Sequence, residues 1–363
     1  MNALTKILQR SKIEREDWHY TDLEKLLATA QKRGPMAARK VPRQLPGAGR
    51  QRFVFVNGVL QKDQTQFGGL PPEILQGDAA RGYKMEFAEK SCLVTEPIEF
   101  VFVQDGAGES NFKLSLDVGA NTSVHIVEHH LAYSAESLTQ VAELDVRLAA
   151  QAKLSHEKIF HDMMGAAYLS RANVEVGEGA YYRHFGLFKD VRLARNETHV
   201  NLAGPLAQCG LYGAILLRGQ EHIDVQTHVN HAAPHGTSRQ LYKVVVQDKA
   251  RGVFQGKIRV AEGAQKTDGQ QLCRALLLSD QAEMDAKPEL EIYADDVACS
   301  HGCAVGDLDA DAMFYLRTRG LDENDARALL LRAFVDEVID TVQADDMRGA
   351  VHDLAERWMH DQD

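Results

Sequence analysis

From about residue 100 to about residue 300, apolar and polar positions alternate over short runs broken by Gly, Asp and Asn, as in "KLSLDVGANTSVHIVEHH", "ANVEVGEGAYYRHFGLF" and "LYKVVVQDKARGVFQGKIRV". A period of two sends successive side chains to opposite faces, so these runs predict half-buried β-strands. "RFVFVNGVL" predicts a hairpin turning on Asn57-Gly58, residue types that accept the positive φ angles such a turn needs. A looser cassette of strand, small-residue turn and strand recurs, with turns near Gly119, Gln151, Gly177 and Gly204 at intervals of 32, 26 and 27 residues. Such intervals favour the stacked coils of a solenoid, while a sandwich or jelly roll also fits the pattern.

Both ends of the chain change to helical spacing. Near the start, Leu4, Ile7 and Leu8 share one helical face and Leu23, Leu26 and Leu27 another, with Thr21 or Asp22 as a cap. "KRGPMAARKVPRQLPGAGRQ" then predicts a solvated linker. After residue 309, "DLDADAMFYLRTRGL" opens on aspartates suited to capping and stops at Gly320. "LDENDARALLLRAFVDEVIDTV" has Asp322 as its expected N-cap and an apolar stripe of Ala326, Leu329, Leu330, Ala333, Phe334, Val338 and Ile339. A last acidic helix falls around "GAVHDLAERWMHD". The expected organisation is a helical segment and linker over 1–50, a β core over 51–308 and a helical domain over 309–363. Three helices this short must pack on the β body, on a partner, or on both.

Composition narrows the class. The 363 residues carry 41 Lys and Arg against 52 Asp and Glu, a net charge of −11. That excess opposes nonspecific nucleic-acid binding and polybasic membrane contact alike. No uncharged apolar run is long enough to span a bilayer, and the first residues lack a secretory h-region, so a soluble cytoplasmic protein is expected. Five cysteines are an odd, sparse set that suits reduced thiols. Cys92, Cys209 and Cys273 sit alone in apolar company and read as packing residues.

Candidate chemistry is thin until late in the chain. "HVNHAAPH" holds His228, His231 and His235, but Pro234 opposes a helix, and in a strand His228 and His231 face opposite ways. An enzyme on a β-helix or cupin-like body using these histidines is the competing reading. "SHEKIFHD" has no ligand spacing, and the chain holds no P-loop, nucleophile elbow or zinc-binding H-E-x-x-H. In "ADDVACSHGCAVGDLD", Cys299, His301 and Cys303 stand at offsets of two, so an extended strand brings all three to one side. Three such ligands leave coordination open, unlike a closed structural zinc site. The choice lies between an incomplete metal site and a buried cysteine with a capping histidine on a β turn.

Three long strings carry a resemblance: "HAAPHGTSRQLYKVVVQDKARGVFQGKIRV", "AQKTDGQQLCRALLLSDQAEMDAKPELEIYADDVACSHGCAVG" and "FYLRTRGLDENDARALLLRAFVDEVI". With them the chain resembles the SufB/SufD family of iron–sulfur cluster assembly proteins, and its SufD branch in particular; "EDWHYTDLEKLL" and "RFVFVNGVL" also look like SufD. The resemblance implies a mainly β fold, with a right-handed parallel β-helix body and small helical segments at both ends. It implies a non-catalytic scaffold that pairs with SufB through β-helix ends and docks the SufC ATPase on its C-terminal helices, where Phe334 and Val338 are candidate contacts. A homodimer is expected of the isolated chain. Within "CSHG" the family's functional histidine falls on His301, a junction ligand to a nascent cluster shared with SufB, and Cys299 lies near the same junction. Cys303 is either an extra thiol there or a packing residue. Ser300 and Gly302 stand where SufB has acidic residues, which favours the SufD branch over a SufB-like paralogue that carries clusters itself. Reduced flavin (FADH2) is associated with the family's complex, although this chain shows no flavin motif.

Overall fold

In the computed structural model the alternating segments are strands that change sheet at almost every turn. The structure describes residues 6, 16, 18–23, 51–88, 96–133, 138–163 and 166–360. Among these, ten strands form one sheet and nine a second, and strands of successive coils pair in parallel. Ala167–Val176, for example, lies between Leu138–Leu148 and Leu193–Leu202 in the second sheet, and the chain visits Tyr181–Lys189 in the first sheet before returning. This is a β-solenoid. Sandwiches and jelly rolls need antiparallel sheets, whereas antiparallel pairing among the described residues is confined to positions before residue 90.

Partners on neighbouring coils stand 26 residues apart at Ala167↔Leu193, 29 at Leu193↔His222 and 32 at Arg251↔Glu283. That drift is why the interval read from the sequence does not hold constant. The turns stack as the strands do. Asn121, Gln151, Gly179, Leu206, His235 and Lys266 each enter the left-handed region, with φ between 58° and 62°. Their N–H groups each donate to the next coil, Gln151 to Glu178 O at 2.8 Å and Leu206 to Pro234 O at 3.1 Å. A hydrogen bond otherwise unmade offsets the cost of a left-handed non-glycine residue. Gly204 has a different reason: a Cβ there would stand 2.2 Å from Glu178 N.

The core fills the space between the sheets. At the first coils it is aromatic, with the Phe55 ring 5.0 Å from Phe112 and 5.2 Å from Phe102 and Tyr83. The predicted hairpin pairs Phe55 with Leu60 across Asn57 (φ 49°) and Gly58 (φ 80°). It also blunts one end of the solenoid, since the short antiparallel strands Val59–Leu60 and Leu75–Asp78 finish the two sheets there.

At the other end the chain leaves the solenoid and forms helices Ala310–Thr318, Glu323–Ile339 and Asp345–His360. Asp309 caps the first by accepting from the N–H groups of Asp311 and Ala312, and Gly320 ends it at φ 98°. Asp322 caps the second by accepting from Asp325 N–H. The second and third helices cover the outer face of the first sheet, where Leu331, Val335, Val338, Ile339 and Trp358 meet Ile159, Phe185, Leu187, Leu216 and Val245. The stripe is therefore rotated from the expected one: Leu331 and Val335 are buried, whereas Leu329 is 46% exposed and Ala333 lies on the open side. Apolar residues occur on both sides of this helix, and only the sheet selects between them. Polar anchors reinforce the seat. Buried Lys243 pairs with Glu337 beneath the Phe334 ring, and Arg183 joins Glu157 (3.1 Å) and the Thr341 carbonyl. No helix among the described residues is long and apolar enough to cross a membrane.

Of the expected N-terminal helices and linker, Leu4, Ile7, Leu8, Leu26, Leu27 and residues 32–50 lie outside the described residues. Trp18 and Leu23 pack on Ala167, Leu169 and Leu193 on the outer face of the second sheet, with the Trp18 ring 3.6 Å from the Arg195 guanidinium.

Candidate functional site at the open end of the solenoid

The last strand of each sheet, Glu283–Ile292 and Ala298–Gly306, has a neighbour on one side only among the described residues. Each leaves an edge of nine or ten residues with backbone donors and acceptors unpaired. Natural proteins cover or blunt such edges, because an open edge recruits another strand. Pro288, which cannot donate to a ladder, sits in Glu283–Ile292, where an edge position tolerates it.

Cys299, His301 and Cys303 lie on this terminal strand. Register pairs them with Gly269, Gln271 and Cys273 of the strand beneath. Those three are the buried, inward-facing set of Asp268–Leu277, so the candidate ligands face the solenoid interior at the coil where it ends. His301 and Cys303 are exposed and Cys299 half-buried. Residues at i and i+4 in a strand stand about 13 Å apart, so Cys299 and Cys303 are too far apart for the three to share one small ion. Among the described residues no group of three or more His, Cys, Asp or Glu side chains is placed to hold a metal ion. The strand displays ligand types in a row without closing a site.

Beneath the row the interior is polar. A column runs Leu211, Gln240, Gln271, His301 through the inner face of the first sheet. Gln271 is 3% exposed, and neither its amide oxygen nor its nitrogen has a hydrogen-bond partner. An unpaired buried amide costs free energy that an inward-pointing partner would recover. The thiols differ in character. The Cys303 thiol is drawn below its ordinary range by a hydrogen bond from Cys273, and the same bond, with burial, pushes Cys273 well above it. Burial raises Cys299, opposed by a hydrogen bond with the Gly269 backbone. Cys209, deep in the solenoid, is pushed up to about 12 by burial and is a packing thiol, as its sequence context predicts. Cys273 is more than the isolated packing residue it reads as, because it lies beside Cys303. The signal was one coil length: the two are 30 residues apart, within the range of the register offsets.

The other histidines separate as expected. His231 is buried with Nε2 2.9 Å from Ser238 Oγ, His228 lies on the outer face, and His235 occupies a left-handed turn. His156 belongs to a buried cluster the sequence did not disclose. Glu128 lies 3.0 Å from both His130 and His156 and 3.7 Å from Lys158, which in turn reaches Asn196 at 3.0 Å. Burial pushes the Glu128 carboxyl up, but the charges of Lys158 and His156 and the histidine hydrogen bonds outweigh it and hold it well below the usual range. The Glu128 and Lys158 charges are paired within the cluster, as buried charges require.

A family model described as the SUF system FeS cluster assembly, SufBD core domain, matches residues 102–334, which include the terminal strand and most of the helix Glu323–Ile339. The chain belongs to the SufBD family. It is 31% identical over 261 residues to the iron-sulfur cluster assembly protein SufD of Escherichia coli, covering 70% of this chain and 62% of that protein. A SufBD family protein of Synechocystis is 27% identical over 381 residues, covering 92% and 84% of the two chains. The chloroplastic protein ABCI7 of Arabidopsis thaliana is 30% identical over 276 residues, 73% of this chain and 58% of its own length. This chain thus covers less than two thirds of the E. coli and Arabidopsis relatives. As a SufBD member it has the solenoid body that the resemblance implied.

As for the docking candidates, Val338 is fully buried between helix and sheet, and Phe334 is half-buried with its ring against Lys243. The apolar side chains the helices leave exposed are Phe314 (71%), Tyr315 and Leu329.

Proposed function

We propose that this chain is a non-catalytic scaffold subunit of iron–sulfur cluster assembly, of the SufD type. It pairs end to end with a SufB-like solenoid through the strands Glu283–Ile292 and Ala298–Gly306. The observation that carries this reading is the open coil: two long strand edges, one of them bearing Cys299, His301 and Cys303 in a row that closes no site. Strand addition at both edges satisfies the backbone and sets a second chain's side chains opposite the row. The nascent cluster is the cargo. His301 and Cys299 are assigned to it as shared ligands, with Cys303 as a further thiol within reach. Coordination divided between two chains opens when the chains move, which suits a site that must release what it builds. Reduced flavin, where the assembled complex uses it, is bound with help from another subunit.

The helical layer is the docking face for a SufC-type ATPase. Phe314, Tyr315 and Leu329 are the apolar residues free to meet it, and Val338 serves by seating the helix on the sheet. The deciding experiment is affinity capture of the tagged chain from its host, paired with His301→Ala. Co-purification of a P-loop ATPase and a homologous solenoid chain supports the scaffold. His301→Ala, on an exposed strand, is expected to assemble normally while cluster maturation falls at least tenfold. A variant complex that matures clusters at the wild-type rate refutes the ligand assignment. A chain captured alone with stoichiometric metal refutes the scaffold.

A further inference from the structure

Cys273 and Cys303 occupy registered positions on neighbouring parallel strands. Both lie on the inner face of the first sheet, so their side chains project side by side. Registered residues of adjacent strands stand about 4.8 Å apart, inside the range of roughly 4.4–6.8 Å between Cα atoms that a disulfide spans. Both thiols are free, Cys303 exposed and Cys273 buried directly behind it. Cys299 has no such neighbour, since glycine faces it across the ladder at position 269.

We infer that Cys273 and Cys303 form a redox-active pair that closes to a disulfide across the last two coils. The oxidant is a hydroperoxide, which reaches the exposed thiol first. The Cys303 sulfur attacks a peroxide oxygen, the O–O bond breaks, and Cys303 becomes a sulfenic acid while the other oxygen leaves as water or an alcohol. The Cys273 sulfur then attacks the Cys303 sulfur. The S–O bond breaks, and the hydroxyl leaves as water with the Cys273 proton. Two thiols have lost two electrons and two protons, and the peroxide has gained them. A dithiol reductant reverses the change through a mixed disulfide. Parallel registered Cβ atoms stand somewhat farther apart than the roughly 3.8 Å usual in a disulfide, so the bond forms with some distortion and is readily reduced. Closure ties the terminal strand to its neighbour and removes Cys303 from any ligand set. It is a property of the chain itself and requires neither partner nor cluster.

The test uses the full chain, reduced, then treated with a small excess of hydrogen peroxide, alkylated, digested without reduction and sequenced by tandem mass spectrometry. The expected product is a Cys273–Cys303 linkage lighter by two hydrogens, lost on treatment with dithiothreitol, with Cys299 alkylated. Cys299→Ser retains the linkage and Cys303→Ser abolishes it. In the oxidised chain, amide exchange across residues 298–306 slows. Three results overturn the inference: Cys303 as sulfinic acid with Cys273 alkylated after unfolding, Cys303 linked to another cysteine, or both thiols intact after peroxide. The wild-type measurement decides the matter even where a variant folds poorly.

Discussion

Leu329 and Leu331 are two residues apart on one helix, yet the structure gives them opposite fates. Leu331 is 1% exposed against the sheet and Leu329 is 46% exposed on the far side. Leu331→Ala removes three buried carbons, about 2.4 kcal/mol of transfer free energy at about 0.8 kcal/mol each. The cavity left behind brings the loss to about 3 kcal/mol. Leu329→Ala forfeits roughly half that burial, leaves no closed cavity and gains slightly in helix propensity, so its cost is about 1 kcal/mol. The helical layer can open without the solenoid, so native-state hydrogen exchange is the suitable assay. Exchange of amides in Glu323–Ile339 should accelerate roughly a hundredfold in Leu331→Ala and only about fivefold in Leu329→Ala. Strand His222–His231 should be unaffected by either. Equal acceleration in the two variants would show that the helix sits on the sheet by another face. The same pair separates folding from docking: Leu329→Ala, alone or with Phe314→Ala, is expected to weaken capture of the ATPase while exchange changes far less than in Leu331→Ala.

Two further expectations concern charge. Glu337→Gln leaves the buried Lys243 ammonium without its carboxylate and should cost about 1–3 kcal/mol, less than in a fully buried pair because Glu337 is half exposed. Adding Lys243→Met should recover most of the loss, and a denaturant midpoint that stays low in the double variant refutes the pairing. Buried His129, His222 and His231 are held neutral, burial pushing them down to about 3, 4 and 4. Their folded values lie below the unfolded one, so the unfolded chain binds more protons as pH falls below about 6.5. Their stabilisation is present above that pH and is lost progressively towards pH 4. Between pH 6.5 and 5.5 each should remove about 1 kcal/mol, read as a falling urea midpoint; a midpoint flat over that interval refutes neutral burial.

What the sequence determined by itself was local. Alternation marked the strands, Asn57-Gly58 the hairpin, and Asp322 and Gly320 the helix boundaries, because each depends on backbone preference and a few neighbours along the chain. The offsets of Cys299, His301 and Cys303 placed them on one side of a strand for the same reason. The long strings around them carried the family. Tertiary structure decided the rest. Coil lengths between 26 and 32 residues hid the register that sets Cys273 against Cys303 and Glu128 against Lys158. Those contacts join residues about 30 positions apart, and no local pattern records which pairs meet. The sheet likewise chose Leu331 over Leu329, since burial is settled by what a helix packs against and several of its faces were apolar enough to serve. That the last coil ends in open edges is a property of the whole stack, legible only in Pro288, whose missing N–H an edge strand tolerates.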